Sequence, residues 1–219
     1  MPWRDKYLNE VVCGDCLELM PELPDKCVDL VFTDPPYNCG KDYGTDKDNR
    51  AEYEIFVAAV CSEIKRISQT YCVVVPSRAL GLWTYYLQGG WVVGLKGRGM
   101  NAIRRRWENK LVLLWTDVMP RKNTPNLWED IRLRGEGYFF TENTYGHPGY
   151  TPINIAQRII DLADPQIVID PFMGTGTTAR AAKNLGRDFV GFELDPGWCE
   201  IARKRLAQEV LLCPGAINS

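Results

Sequence analysis

The chain has 219 residues, 45% hydrophobic and 25% charged, with a formal net charge of −2. This is the composition of a globular protein with a sizeable core; it excludes a disordered chain and gives no overall pull toward nucleic acid or a membrane surface. No apolar run approaches the roughly 18 residues of a membrane span, and MPWRDKYLNE lacks the apolar stretch of a secretory signal, so a cytoplasmic protein is expected.

In chain order, LNEVVCGD reads as a strand ending at Asp15, Leu17 to Leu23 as a short helix, and VDLVFT as the next strand. That strand stops abruptly at Asp34-Pro35-Pro36-Tyr37. A polar, glycine-containing loop covers 38 to 50. Tyr53, Phe56, Val57, Val60, Ile64 and Ile67 then fall at helical spacing. YCVVVP is a strand, and GGWVVGLK and KLVLLWT are two more. Residues 117 to 149 carry Pro120, Pro125, Pro148 and several glycines and read as irregular. TPINIAQRIIDLA is a helix with Pro152 in its first turn and Thr151 as its expected cap. QIVIDPF is a strand, GTGTTARAAKNLG a turn and helix ended by Gly186, DFVGFELD a strand, and PGWCEIARKRLAQEVL a last helix. Strands alternating with helices predict an α/β fold with a mainly parallel sheet.

Eight cysteines are present. Cys13 and Cys16 have C-x2-C spacing, but no second close pair of Cys or His follows, and His147 is the one histidine. No metal is therefore expected, and the cysteines read as reduced, mostly core residues.

The strongest fold signal is VIDPFMGTGTTARAAKNLGRDFVGFELD. A strand ends at Asp170, Gly174 and Gly176 permit a tight turn, and a helix begins near Thr177 with its N–H groups aimed at whatever occupies the turn. The following strand ends at Glu193, nineteen residues beyond Gly174, where an acid can accept from both hydroxyls of a ribose. Gly174-x-Gly176-x-x-Ala179 also satisfies the dinucleotide fingerprint, so an NAD-dependent oxidoreductase is a rival reading. Asp170-Pro171-Phe172 ahead of the glycines favours a ligand with a cationic amino-acid end, such as S-adenosyl-L-methionine (AdoMet).

Asp34-Pro35-Pro36-Tyr37 suits a second task. The lone pair of a nucleobase amino group is delocalised into the ring, so the nitrogen is a poor nucleophile. Two acceptors, the Asp34 carboxylate and the Pro35 carbonyl, can hold its N–H groups and free that lone pair. Proline fixes φ and offers no competing N–H at Pro35 or Pro36. Tyr37 can stack on a base drawn out of the duplex.

These residues together resemble the AdoMet-dependent amino-group DNA methyltransferases in their permuted, β-class order. That family carries D/N/S-P-P-Y/F/W near the N-terminus and D-P-F-x-G-x-G-T-T near the C-terminus, matched here at 34 to 37 and 170 to 178. Gly14-Asp15-Cys16 matches its G-D-C strand end, and RRRWENKLVLLW its W-E-x-x-L-V-Y strand. HPGYTPINIAQRII resembles its H-P-T-Q-K-P segment beside the methionine tail, with Gly149, Tyr150 and Thr151 standing where T-Q-K is usual. The resemblance implies catalysis by Asp34, Pro35, Pro36 and Tyr37. It implies a cofactor site formed by Asp15, Cys16, Asp34, Asp170, Pro171, Phe172, Gly174, Gly176, Thr177, Thr178, Glu193 and Leu194, with Asp15 accepting from the cofactor's adenine.

The expected fold is thus one three-layer, doubly wound Rossmann-like domain over residues 1–219, with a mainly parallel seven-stranded sheet. Residues 117–149 are the candidate target-recognition insertion. Lys96, Arg98, Arg104, Arg105 and Arg106 lie in a stretch without acids and form a candidate phosphate track on double-stranded DNA. The expected reaction is methylation of adenine N6. Cytosine N4 is the alternative, since Asp at the first motif position is commoner in adenine enzymes only as a tendency. An inactive AdoMet-binding DNA-binding protein is a further alternative, which the intact Asp34, Tyr37, Asp170 and Glu193 argue against. So short an insertion implies a short or relaxed target, or a homodimer in which a second subunit completes recognition.

Overall fold

The structure is a computed structural model. It describes residues 2–40, 42, 44–45, 49–88, 91–95, 111–115, 127–128, 146–147 and 151–208, with 91–95, 111–115 and 127–128 described by backbone alone. In chain order the elements are α1 (Trp3–Tyr7), β1 (Glu10–Cys13), α2 (Cys16–Leu19), β2 (Leu30–Thr33), α3 (Tyr53–Ile67), β3 (Thr70–Pro76), α4 (Leu80–Leu87), β4 (Trp91–Leu95), β5 (Leu111–Trp115), β6 (Leu127–Trp128), α5 (Ile153–Ala163), β7 (Ile167–Asp170), α6 (Thr177–Asn184), β8 (Asp188–Glu193) and α7 (Pro196–Ala207).

The strands form one sheet in the order β1-β8-β7-β2-β3-β5-β4-β6. The run from β1 to β3 is parallel throughout, β5 lies antiparallel to both β3 and β4, and β6 is parallel to β4. All four residues of β2 and of β7 are buried, as a parallel strand covered by helices on both faces requires. Side chains alternate between two cores. Leu30, Phe32, Cys72, Val74 and Val168 join Ile155, Ile159, Ala179 and Ala202 of α5, α6 and α7. Val31, Val73, Val75, Ile169 and Phe192 join Val57, Val60, Ile64 and Trp83 of α3 and α4. This makes three layers, the doubly wound arrangement expected.

The sheet has eight strands among the described residues where seven were expected. The addition is β6, a two-residue strand inside the segment read as irregular, too short for any periodicity to mark. Two helices carry no sequence signal. The five residues of α1 follow Pro2, and α4 is apolar nearly all round, so it shows no polar face. The helix expected over Leu17 to Leu23 is α2 followed by a 3-10 turn at Met20–Glu22, tightened at Pro21. Gly186 ends α6 as expected, in the left-handed region at φ +66°. Among the described residues no helix is long and apolar enough to cross a membrane.

The parallel strands β1, β8, β7 and β2 bring their carboxyl ends to one edge. From β7 the chain crosses through α6 to β8, and from β2 it crosses through α3 on the opposite face to β3. The order therefore reverses between β7 and β2, which is where open α/β sheets bind ligands.

Candidate active site

One cleft lies at that edge. Its lining includes Asp15 after β1, Asp34 and Tyr37 after β2, Asp170 to Gly174 after β7, and Glu193 after β8. Cys16, Thr177, Thr178 and Leu194 also line it, so nearly all of the expected catalytic and cofactor residues meet in one place. The basic residues Lys96, Arg98, Arg104, Arg105 and Arg106 lie outside the described residues, as does most of 117–149.

Asp15 follows the end of β1 and caps α2, its Oδ1 accepting from the Leu17 N–H at 2.9 Å. The side chain is exposed and lines the cleft.

The glycine turn is built from within. Gly174 and Gly176 have φ of +53° and +82°. A Cβ on Gly176 would lie 3.1 Å from that of Ala202, and one on Gly174 would lie 3.3 Å from His147 Nε2. Glycine is thus needed for both backbone angle and space. The nineteen-residue spacing from Gly174 to Glu193 closes into a direct contact: the Gly174 N–H donates to Glu193 Oε2 at 2.7 Å. Glu193 Oε1 accepts from the Asp195 N–H at 2.9 Å. Burial pushes the Glu193 carboxyl above its ordinary value, and these two donors pull it back in part.

Asp170 differs from expectation. It was read as the carboxylate that meets a ligand cation, but only 4% of its surface is exposed and both oxygens are engaged within the chain. Thr33 Oγ1 donates to Oδ1 at 2.6 Å, Thr178 Oγ1 to Oδ2 at 2.5 Å, and the Phe172 N–H to Oδ1 at 3.0 Å. Burial lifts its carboxyl from 3.8 to about 6, against the lowering effect of those donors. Asp170 ties the end of β7 to β2 and to the first turn of α6.

Asp34 accepts at both oxygens as well. The Tyr37 hydroxyl donates to Oδ1, and Thr151 Oγ1 to Oδ2 at 2.6 Å. Thr151 was expected to cap α5; the position before the helix is instead Pro152, and no side chain caps that end. The Pro36 carbonyl accepts from Tyr53 at 3.0 Å, and Tyr53 in turn accepts from Trp83 Nε1 at 3.3 Å, so α3 and α4 brace the proline turn.

The loop after Tyr37 is clasped at its base. Asn38 Nδ2 donates to the Arg50 carbonyl at 3.2 Å, and the Arg50 N–H to Asn38 Oδ1 at 2.7 Å. At its far end Thr45 Oγ1 donates to Asp195 Oδ2 at 2.6 Å, which holds the Asp195 carboxyl below its ordinary value. Sequence reasoning did not single out Thr33, Arg50, Phe56 or Thr151 as residues of the site. The Arg50 guanidinium lies 4.2 Å from the Phe56 ring centroid, and Phe56 meets Phe172 edge-on at 5.9 Å. Phe56 was visible only as a core position of α3, and Arg50 only as the end of a polar loop.

The model of the N6/N4 DNA methylase family matches residues 100–204, a span that includes the glycine turn and Glu193. Type II methyltransferase M.HpaI of Haemophilus parainfluenzae is 27% identical over 239 residues, covering 92% of this chain and 75% of that protein. By these matches the chain is similar to the N6/N4 DNA methylases. Type II methyltransferase M.BamHI of Bacillus amyloliquefaciens is also 27% identical, over 259 residues; the alignment covers 94% of this chain but only 58% of the longer M.BamHI. In fold, the chain is similar to the M1.HpyAVI–SAM complex at a TM-score of 0.68 and 22% identity, over 91% of this chain and 99% of that one. The three-layer sheet thus has the same fold as that structure.

Proposed function

We propose that this chain is a DNA methyltransferase of the restriction-modification type, moving a methyl group from AdoMet to the exocyclic N6 amino group of an adenine flipped out of double-stranded DNA. The observation that carries the reading is the single cleft joining the Asp34-to-Tyr37 turn to the glycine turn and Glu193.

The lining suits AdoMet better than a dinucleotide. Asp15, Asp34, Asp170 and Glu193 line the cleft, against Arg50 as the one arginine or lysine among the lining residues. A sulfonium and an ammonium are attracted by such a wall, and a pyrophosphate is repelled. The Gly174 N–H, which a dinucleotide phosphate would need, already donates to Glu193, and the Gly176 N–H to the Met173 carbonyl at 2.9 Å. These contacts argue against the NAD reading.

In this proposal Glu193 accepts from the ribose hydroxyls through its remaining lone pairs, since each carboxylate oxygen has two. Asp15 accepts from the adenine amino group of the cofactor. The apolar wall of Phe56 and Phe172, with Cys16 and Leu194 at its margins, flanks the nucleoside. Pro171, Gly174, Gly176, Thr177 and Thr178 shape the turn, and Asp170 holds it without meeting the ligand. When bound, AdoMet supplies an electrophilic methyl on a positively charged sulfur.

Asp34 and the Pro35 carbonyl accept from the two N–H groups of the target, with Pro36 keeping that backbone rigid, and Tyr37 stacks on the base. As the nitrogen gains positive charge, the Asp34 carboxylate stabilises it and takes the released proton at an Oδ atom. The catalytic motif precedes the cofactor turn in the chain, which is the permuted order, and the whole described chain acts as one domain. Lys96, Arg98, Arg104, Arg105 and Arg106 would track phosphates, 117–149 would read the target, and a homodimer would complete recognition.

Mass spectrometry of nucleosides from DNA incubated with the protein and methyl-labelled AdoMet tests the reading. Labelled N6-methyladenine is expected. Labelled N4-methylcytosine would replace the target base while keeping the mechanism, and no labelled nucleoside at all would overturn the proposal.

A further inference from the structure

Thr151 joins two parts of the cleft that lie 117 residues apart: its hydroxyl donates to Asp34 Oδ2 at 2.6 Å. We infer that Thr151 is a positioning residue for the reaction, fixing the Asp34 carboxylate so that its other oxygen faces the target amino group. The inference rests on the methyl-transfer reading above.

The geometry begins with Pro152. A residue before proline is held in extended backbone, which keeps Thr151 out of α5 and its side chain clear of the helix end. The Thr151 side chain lines the same cleft as Asp34 and Tyr37. The hydroxyl therefore stands on a rigid Thr-Pro step anchored by α5, whose Ile155, Ile159 and Ile160 are buried in the core. Asp34 itself follows β2, so the bond ties the catalytic turn to a separately anchored element.

Tyr37 and Thr151 differ in kind as donors to Asp34. Tyr37 lies three residues along the same turn, and its ring must leave the carboxylate to stack on a base. Thr151 has no such second task. When Tyr37 swings to the base, its hydroxyl withdraws from Oδ1 while Thr151 still grips Oδ2. A carboxylate held at one oxygen by a fixed donor cannot rotate to offer both oxygens to water. Because the donor is a neutral hydroxyl, it orients Asp34 without neutralising it. The full negative charge remains to stabilise the cation that forms on the nitrogen.

The full-length protein carries the test. Thr151→Val keeps the shape and removes the hydroxyl. Single-turnover methylation by Thr151→Val is expected to fall roughly 10- to 100-fold, in the range set by one lost charge-assisted bond. AdoMet affinity, measured by calorimetry, and the melting temperature should stay near wild type. Thr151→Ser restores the hydroxyl and should return the rate to within about threefold of wild type, a rescue that loss of packing alone would not give. Thr151→Ala guards against a poorly folded valine variant, since it lacks the hydroxyl but adds no bulk and should show the same slow rate. If Thr151→Val and Thr151→Ala methylate at the wild-type rate, or if Thr151→Ser is as slow as they are, the inference is wrong. If the wild-type protein methylates no DNA, it is the function that fails, and the two outcomes are distinct.

Discussion

Asp170 should make the protein's stability depend on pH in an unusual direction. Its carboxyl is lifted to about 6 in the folded chain, against an ordinary 3.8 in the unfolded one. Below pH 3.8 both states hold the proton, and the group's contribution to stability is fully present. As pH rises from there through about 6, the unfolded chain ionises first, and that contribution is lost. A gap of about two pH units corresponds to about 3 kcal/mol, an upper figure because the unfolded chain retains some structure. Asp170→Asn removes the titration while keeping the shape. The amide oxygen can still accept from Thr33 and the Phe172 N–H, and the Thr178 hydroxyl can turn to accept from the amide NH2. Urea unfolding of both proteins at pH 4, 5, 6, 7 and 8 measures the difference between them. The wild type should gain on the variant by up to about 3 kcal/mol between pH 7 and pH 4, with most of the change below pH 6. A difference that is flat over this range would refute the buried titration, and one that grows toward pH 8 would show a carboxylate stabilised in its charged form.

Glu193→Gln keeps the side-chain volume but loses the charge and one acceptor; AdoMet binding should weaken by about 1.5–3 kcal/mol, roughly 10- to 100-fold in calorimetry, and an unchanged affinity would remove Glu193 from the cofactor site. Asp34→Ala should abolish methylation while leaving AdoMet affinity within about threefold; near-normal turnover would discard the two-acceptor mechanism. Tyr37→Ala should lose base stacking of about 1–3 kcal/mol. Tyr37→Phe should keep most of the activity, because it retains the ring and gives up only the hydroxyl that must leave Asp34 in any case; a dead phenylalanine variant would assign the hydroxyl itself a role. Neutralising Arg104, Arg105 and Arg106 together should weaken binding to all DNA sequences about equally and flatten the dependence on salt; a loss confined to one sequence would make the strip a reader of bases.

Both motifs of the cleft were legible because each encodes its own backbone. Pro35 and Pro36 fix φ wherever the chain goes, and Gly174 and Gly176 adopt angles that other residues resist, so their geometry can be read from a dozen neighbouring positions. The strands β2, β3 and β7 were legible because burial on both faces demands an unbroken apolar run. Helix α4 was hidden for the complementary reason: with Leu80, Leu82, Trp83 and Leu87 distributed around it and Gly81 within it, no polar face sets a period. The partners of the carboxylates lay beyond sequence reach altogether. A sequence can count the acids that arrive at the cleft, but their lone pairs are assigned by whichever donor is nearest in space. Asp170 was read as a ligand for a cation because it precedes the glycines, and its oxygens are instead taken by Thr33 from the adjacent strand and Thr178 from the following helix. Thr151 was read as a helix cap because threonine before a helix commonly is one, yet its hydroxyl reaches Asp34 across 117 residues of chain. These two misreadings have one cause and one consequence. Hydroxyls reach both oxygens of Asp34 and of Asp170 alike, and burial separates the two: of the acids that line the cleft, Asp170 is the buried one. In the proposed function Asp15, Asp34 and Glu193 are the acids that meet a ligand, and on that reading any redesign of the cleft for another cofactor begins with those three.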